Sequence, residues 1–199
     1  MRILGIDPGT RFTGFGVVEL QRGRLVHVAH GVVRADGELP LEKRLHAMHA
    51  ALGRELLRHR PQAVAVEGLF SHRNARSALV LGHARGVALL AAAERGLDVF
   101  EYAPARVKKA VGAGGADGKE AVARMVKTLL HLDVVVRADA TDALAVAICH
   151  LNHAGLPLPR PSGSTRAAGT GRSRAAALSR LAARLQPAVV RPADREALP

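Results

Sequence analysis

Tryptophan is absent from this chain, and one tyrosine and four phenylalanines are its only other aromatics. A core built on stacked rings is thereby excluded. The core must be aliphatic, of Ala, Val and Leu, and a hydrophobic content of 48% can supply it. The single cysteine, Cys149, rules out an intrachain disulfide and fits a reducing compartment. No apolar run reaches the roughly 18 to 20 residues of a membrane span. The opening "MRILGID" enters a strand without a signal-peptide pattern, so the expected location is the cytoplasm. Acids are scarce as well: 17 Asp and Glu stand against 29 Lys and Arg, a formal net charge of +12. Such a balance points to a polyanionic partner, nucleic acid first.

That charge is unevenly spread. Residues 1–154 hold 21 Lys and Arg and 15 Asp and Glu, and residues 155–199 hold 8 Arg and 2 acids, so each part carries +6. The second part opens with "GLPLPRPSGSTRAAGTGRSR", a composition that buries too little surface to offset chain entropy. The expectation is one domain over 1–154 and a basic, disordered tail over 155–199.

Within the domain, "RILGID" reads as a short buried strand ending in a turn. "TGFGVVEL" and "LVHVAHGVVR" predict two further strands in hairpin succession. Leu41, Leu45, Met48, Leu52 and Leu56 keep helical spacing behind Pro40, which suits a helix start. "QAVAVEGLF" is a second short apolar strand, and a long helix closed by Gly96 follows it. "LDVFEYAP" predicts a strand stopped by Pro104, then a short helix into the glycine loop "GAGG". Two more helices follow, one with Asp117 as N-cap and the last with Asp139 at its start. Strands first and alternation afterwards imply an α/β fold, a mixed central sheet with helices on both faces.

Four acids fall at element ends. Asp7 and Glu67 each end a short apolar strand, and sites in open α/β sheets lie at the carboxyl ends of strands. Asp139 and Asp142, at i and i+3, share one helix face ahead of the apolar "ALAVAI". Each has an ordinary explanation. Asp-Pro-Gly is turn chemistry, and acids in a first turn complement the helix dipole. Glu67 is harder to explain, since Glu is a poor turn residue. Four carboxylates brought together repel unless a cation sits among them, and hard oxygen donors in that number suit Mg²⁺, with two ions the arrangement used for phosphodiester cleavage.

The segments "ILGIDPGTRFTGFGVVE", "VEGLFSHRNARSALVLGHARGVALLAAAERGLDVFEYAPARVKKAVGAGGADGKEAV" and "ADATDALAVAICH" together resemble the RuvC family of Holliday-junction resolvases, in register through nearly all of residues 1–154. The resemblance implies a ribonuclease-H-like fold, a homodimer, and metal-dependent nicking of two opposing strands of a four-way DNA junction. It implies catalytic and metal-holding roles for Asp7, Glu67, Asp139 and Asp142, Mg²⁺ as cofactor with Mn²⁺ able to substitute, and important lysines at Lys108 and Lys119. It places a junction-contacting aromatic at Phe70, in a basic loop with Arg73, Asn74 and Arg76. It also implies work with the branch-migration proteins RuvA and RuvB. Phe12 and Phe15 stand where the family suggests an aliphatic and a tyrosine, differences expected to matter only to packing.

Two features bear on these expectations independently. Ser77–Ala93 carries one formal charge, Arg85, and a helix apolar on nearly every face needs a second cover, which a symmetric partner helix would provide. His150 and His153, three apart after the last acids, read as core or surface histidines rather than metal ligands. Two rival functions stay open on the residues alone: a non-catalytic junction-binding module, and a nucleotide phosphotransferase whose phosphate loop resembles "IDPGT".

Overall fold

A computed structural model of the chain describes residues 1–68, 75–113, 118–133 and 136–153, with the side chain of Arg76 outside that set. Five strands come in the order β1 (Arg2–Asp7), β2 (Phe12–Gln21), β3 (Arg24–Arg34), β4 (Ala63–Glu67) and β5 (Asp98–Tyr102). The helices are α1 (Leu41–His59), α2 (Ala75–Ala93), α3 (Pro104–Ala110), α4 (Lys119–Leu129) and α5 (Ala138–His153). The sheet order is β3-β2-β1-β4-β5. β1, β2 and β3 form an antiparallel meander, whereas β4 and β5 run parallel to β1. This is the mixed sheet that the succession of strands and helices predicts.

The two-residue side-chain period sorts the sheet into two faces. Ile3, Val18, Ala63 and Ala65 join one core cluster with Val107 of α3, Val122 and Val126 of α4 and the body of α5. Leu4, Ile6, Val17, Val64 and Val66 join the other, with Met48, Leu52 and Leu56 of α1 and Ala84, Ala88, Ala91 and Ala92 of α2. Helices therefore cover both faces. The core is mainly aliphatic; among the described residues its two buried rings are Tyr102 and His150, which hydrogen-bond to each other at 2.9 Å between Oη and Nδ1. His150 is thus a core histidine. Phe100 lies across its ring at 4.6 Å, and burial holds its pKa down at about 4, so it stays neutral at physiological pH.

Helix α5 comes unusually close to the sheet. The positions of β1 and β2 beneath it include Gly5, Gly14 and Gly16. A Cβ on Gly5 would run into the carbonyl oxygen of Ala143, and one on Gly14 into that of Asp139. One on Gly16 would lie 2.7 Å from the backbone nitrogen of Leu144. Three missing side chains thus let one helix lie almost on the backbone of two strands. Every residue from Ala143 to Leu151 is buried as a result. The expected N-cap of α4 differs in detail: Gly118 occupies that position, and Asp117 lies outside the described residues. The 155–199 segment also lies outside them.

Candidate active site

Strand parity decides where the first two acids point. In β1, Ile3 and Gly5 face α5, so Asp7 does too; in β4, Ala63 and Ala65 do, so Glu67 does. β1 and β4 pair in parallel with Ile6 opposite Val66, which sets Asp7 and Glu67 side by side one step further on. The turn after Asp7 is cinched locally. Thr13 is buried, its hydroxyl donates to the Gly9 carbonyl at 2.6 Å, and a Cβ on Gly9 would run into the carbonyl of Phe12. Helix α5 starts at this same end of the sheet, with Asp139 in its first turn and Asp142 one turn on. Glycine-mediated approach, rather than side-chain packing, brings these two acids down to the strand ends.

The electrostatics show that the four acids feel one another. Burial pushes the Asp7 carboxyl up to about 7, helped by the charges of Glu67, Asp142 and Asp139 and opposed by Lys119. Glu67 is raised by burial and by Asp142, against Lys119 and Lys108. Asp142 is raised by burial and by Asp139, against the same two lysines. Lys119 is the first residue of α4, where the helix dipole disfavours a cation; facing a cluster of acids accounts for its place. Lys108 lies in the last turn of α3. All four acids and both lysines singled out in the sequence thus converge on one end of the sheet.

Among the described residues, no three His, Cys, Asp or Glu side chains stand close enough to enclose a metal ion as they are. The acids, each partly buried, interact by charge across the space between them. Phe70, Arg73 and Asn74 lie outside the described residues. Arg76 is in the first turn of α2, with its side chain outside them.

Replacing Lys119 by methionine removes the cation that lowers all three raised acids. The carboxyl of Asp7 should then release its proton above pH 7 rather than near it. The expected result is an Asp7 carboxyl titration, followed by NMR on the metal-free protein from about pH 6 to 9, that is displaced to higher pH in the variant; an undisplaced titration would show that Lys119 does not couple to the acids.

Two features of the site escaped sequence reasoning. One is the glycine bed, whose signal was present as Gly14 and Gly16, alternate residues on one face of a strand. The other is a contact of Phe12, which does more than fill space. The guanidinium of Arg137 stacks over its ring, 4.8 Å from the centroid, and lies 3.6 Å from the Asp139 carboxylate. No local pattern announces a pairing between residues 125 positions apart.

Comparison with known proteins accords with this geometry. The family model described as crossover junction endodeoxyribonuclease RuvC matches residues 3–150. The protein of that description from Myxococcus xanthus (strain DK1622) is 65% identical over 197 residues, 98% of this chain and 100% of its own length. That from Acidiphilium cryptum (strain JF-5) is 53% identical over 152 residues, 76% of this chain and 91% of its own. Among solved structures, T. thermophilus RuvC in complex with a Holliday junction substrate superposes with a TM-score of 0.73 at 38% identity, over 77% of this chain and 94% of that one. The yeast mitochondrial Holliday junction resolvase Ydc2 shares the fold at 12% identity, with a TM-score of 0.54. Acids at the ends of β1 and β4, a mixed five-stranded sheet in the ribonuclease-H-like manner and a match through almost the whole described domain agree, and the chain belongs to the RuvC family of crossover junction endodeoxyribonucleases.

Proposed function

We propose that the chain is a structure-specific endodeoxyribonuclease that resolves Holliday junctions in recombination and DNA repair, by paired symmetric nicks in strands of like polarity. The observation that supports it most is the gathering of four carboxylates at one sheet end, with Asp7, Glu67 and Asp142 raised by burial and by neighbouring acids, in a family member with an excess of cationic residues. The donor set fits Mg²⁺. It is all hard oxygen, and the work of holding Asp7, Glu67 and Asp142 ionised side by side is what a dication would relieve. Bound by Asp7, Glu67, Asp139 and Asp142, two Mg²⁺ ions, or Mn²⁺ in their place, would supply Lewis-acid stabilisation and a water of lowered pKa, chemistry that yields 5′-phosphate and 3′-hydroxyl ends.

The chain's own residues divide the remaining work. The Asp7 turn and the buried body of α5 fix the acids in place before substrate arrives. Lys119 stabilises charge that develops on the phosphate, and Lys108 holds the neighbouring backbone. Phe70 stacks on a base at the junction centre, flanked by Arg73, Asn74 and Arg76. The domain over 1–154 carries this activity, the 155–199 tail adds cationic charge, and RuvA and RuvB supply the branch-migrated substrate.

A dimer completes the assembly. Helix α2 buries alanines towards the sheet and turns Leu79, His83, Gly86 and Leu90 the other way; Leu79 is 64% and Leu90 53% exposed. A Cβ on Gly82 or Gly86 would meet nothing. Glycine in a helix costs about 1 kcal/mol relative to alanine. Two outward glycines beside two outward leucines therefore suit close approach by the same helix of a second copy, which also places one site on each of two like strands. Sizing at micromolar concentration should show a dimer for the wild type and a monomer for Leu90→Glu. A wild-type monomer would remove the dimer.

The function itself is tested with a synthetic mobile four-way junction beside a linear duplex of the same sequence, with Mg²⁺ and with EDTA. Symmetric nicks confined to the junction and abolished by EDTA are expected. Junction binding without nicks would make the chain a binding module.

A further inference from the structure

The α5-facing positions of β2 are Phe12, Gly14, Gly16 and Val18, so Phe12 lies beneath the start of α5. Arg137 is the residue just before that helix. Its carbonyl accepts from the Thr141 backbone N–H at 2.9 Å and from the Thr141 hydroxyl at 3.1 Å. Its guanidinium stacks on Phe12 and reaches Asp139, yet its side chain remains 61% exposed. Phe12 pairs across the sheet with Arg34, the last residue of β3, and Ala35 donates its N–H to the Arg11 carbonyl at 3.0 Å. Arg11 and Arg34 line one open cavity of about 560 Å³ with Asp36, Gly37 and Glu38. A Cβ on Gly37 would run into the Arg11 guanidinium, so this exposed arginine lies along the Gly37 backbone. Among the described residues, neither Arg11 nor Arg34 has an acid within salt-bridge distance.

Three arginines thus gather at the Phe12 end of β2: Arg137 stacks on the ring beside Asp139, Arg34 pairs opposite Phe12 across the sheet, and Arg11 precedes it in the chain. They occupy the β2–β3 side, and Lys108 and Lys119 come from α3 and α4. We propose that Arg137, Arg34 and Arg11 form a second phosphate-binding subsite, which takes backbone phosphates of the strand being cut on the flank of the acids away from the lysines. The inference rests on the nuclease reading above. A nucleic-acid strand carries one phosphate per nucleotide, so when one lies over the acids its neighbours pass out on both sides, and each flank of an anionic site needs its own cations. The guanidinium fork matches a phosphate through two parallel hydrogen bonds. Phe12 presents Arg137 outward by cation–π contact, a service that an aliphatic residue at that position would not give. Asp36 and Glu38 on the far wall of the cavity bound the subsite; one Asp36 oxygen is already engaged by the Glu38 N–H at 3.0 Å.

The test is equilibrium binding to a four-way junction and to linear duplex across a salt series in EDTA, for the full-length wild type and for Arg137→Gln, Arg34→Gln and Arg11→Gln. Each substitution should weaken both DNAs about three- to tenfold and lower the slope of log K against log salt by about 0.9. Phe12→Leu should weaken binding less than Arg137→Gln and add nothing to it in the double variant. Arg137→Lys, which keeps the charge, should keep the slope, and that separates phosphate binding from damage to the fold. Slopes unchanged in all three glutamine variants would overturn the subsite. Failure of the wild type to prefer or nick junctions would remove the nuclease reading instead, and the slopes on duplex would still decide the subsite.

Discussion

Asp7→Asn should abolish junction cleavage while making the metal-free protein more stable at pH 8. Loss of a carboxylate from the acid cluster is expected to lower the nicking rate at least about 10³-fold. Junction affinity should stay near that of the wild type, because phosphate contacts come from cations and not from this carboxyl. The stability change follows from linkage. Folding raises the carboxyl of Asp7 from an ordinary 3.8 to about 7. Below pH 4 both folded and unfolded chains hold the proton. Between about 4 and 7 the folded state keeps a proton that the unfolded chain has released, so stability falls as pH rises. Above 7 the full deficit, up to about 4 kcal/mol, is present. Asparagine removes it. The measurement is Tm in EDTA at pH 5 and pH 8 for both proteins. The wild type should gain stability at the lower pH, within the range where the rest of the fold is intact, and the variant should narrow the gap. Mg²⁺ should restore the wild type at pH 8 and do less for the variant. If Asp7→Asn also loses junction binding, Asp7 is a structural residue.

Gly14→Ala should separate activity from folding by a different route. Its new methyl would meet the carbonyl of Asp139, in the first turn of α5. A helix end can lift where its body cannot, and lifting it carries Asp139 and Asp142 away from Asp7 and Glu67. A displacement near 1 Å at reacting groups costs about 10²-fold in rate. Gly5→Ala is the contrasting case. Its methyl would meet Ala143 and come within 2.9 Å of the Ala147 nitrogen, in the part of α5 buried on all sides. With no room to lift, the strain should appear as stability, about 3 kcal/mol or more by analogy with overpacked cores. Cleavage rates at saturating Mg²⁺ and denaturant midpoints for the two variants decide the matter. Equal loss of stability with equal retention of activity would mean that the helix does not rest on these glycines as described.

Much of this was legible in the chain. β1 and β4 announce themselves as short apolar runs halted at a carboxylate, and parity alone turns both carboxylates to one face. The last helix could be read from "ADATDALAVAICHLNH" because two acids precede an uninterrupted apolar body. What could not be read is distance. Nothing near residue 5 reports that Ala143 will lie against it, and a glycine in a strand looks the same whether it marks a bulge or a close approach. Phe12 reads as a packing residue until Arg137 is seen on its ring, since cation–π contact depends on where the chain returns. Caps fail for a smaller reason: Asp117 and Gly118 both suit a helix start, and local preference separates them weakly.

The burial of Ala143–Leu151 gives the acids a particular mechanical footing. Segments with the most buried contacts are the last to open in local unfolding, and edge elements open first. β3 is an edge strand, and none of its residues is fully buried. Breathing of the meander can therefore loosen Arg34 and the rim that it belongs to while Asp139 and Asp142, seated on the most protected helix, keep their positions. With Arg34 as the proposed phosphate contact, grip on the substrate and geometry of the chemistry rest on parts of the chain of very unequal burial, and a nicked product can leave without dismantling the site that made it.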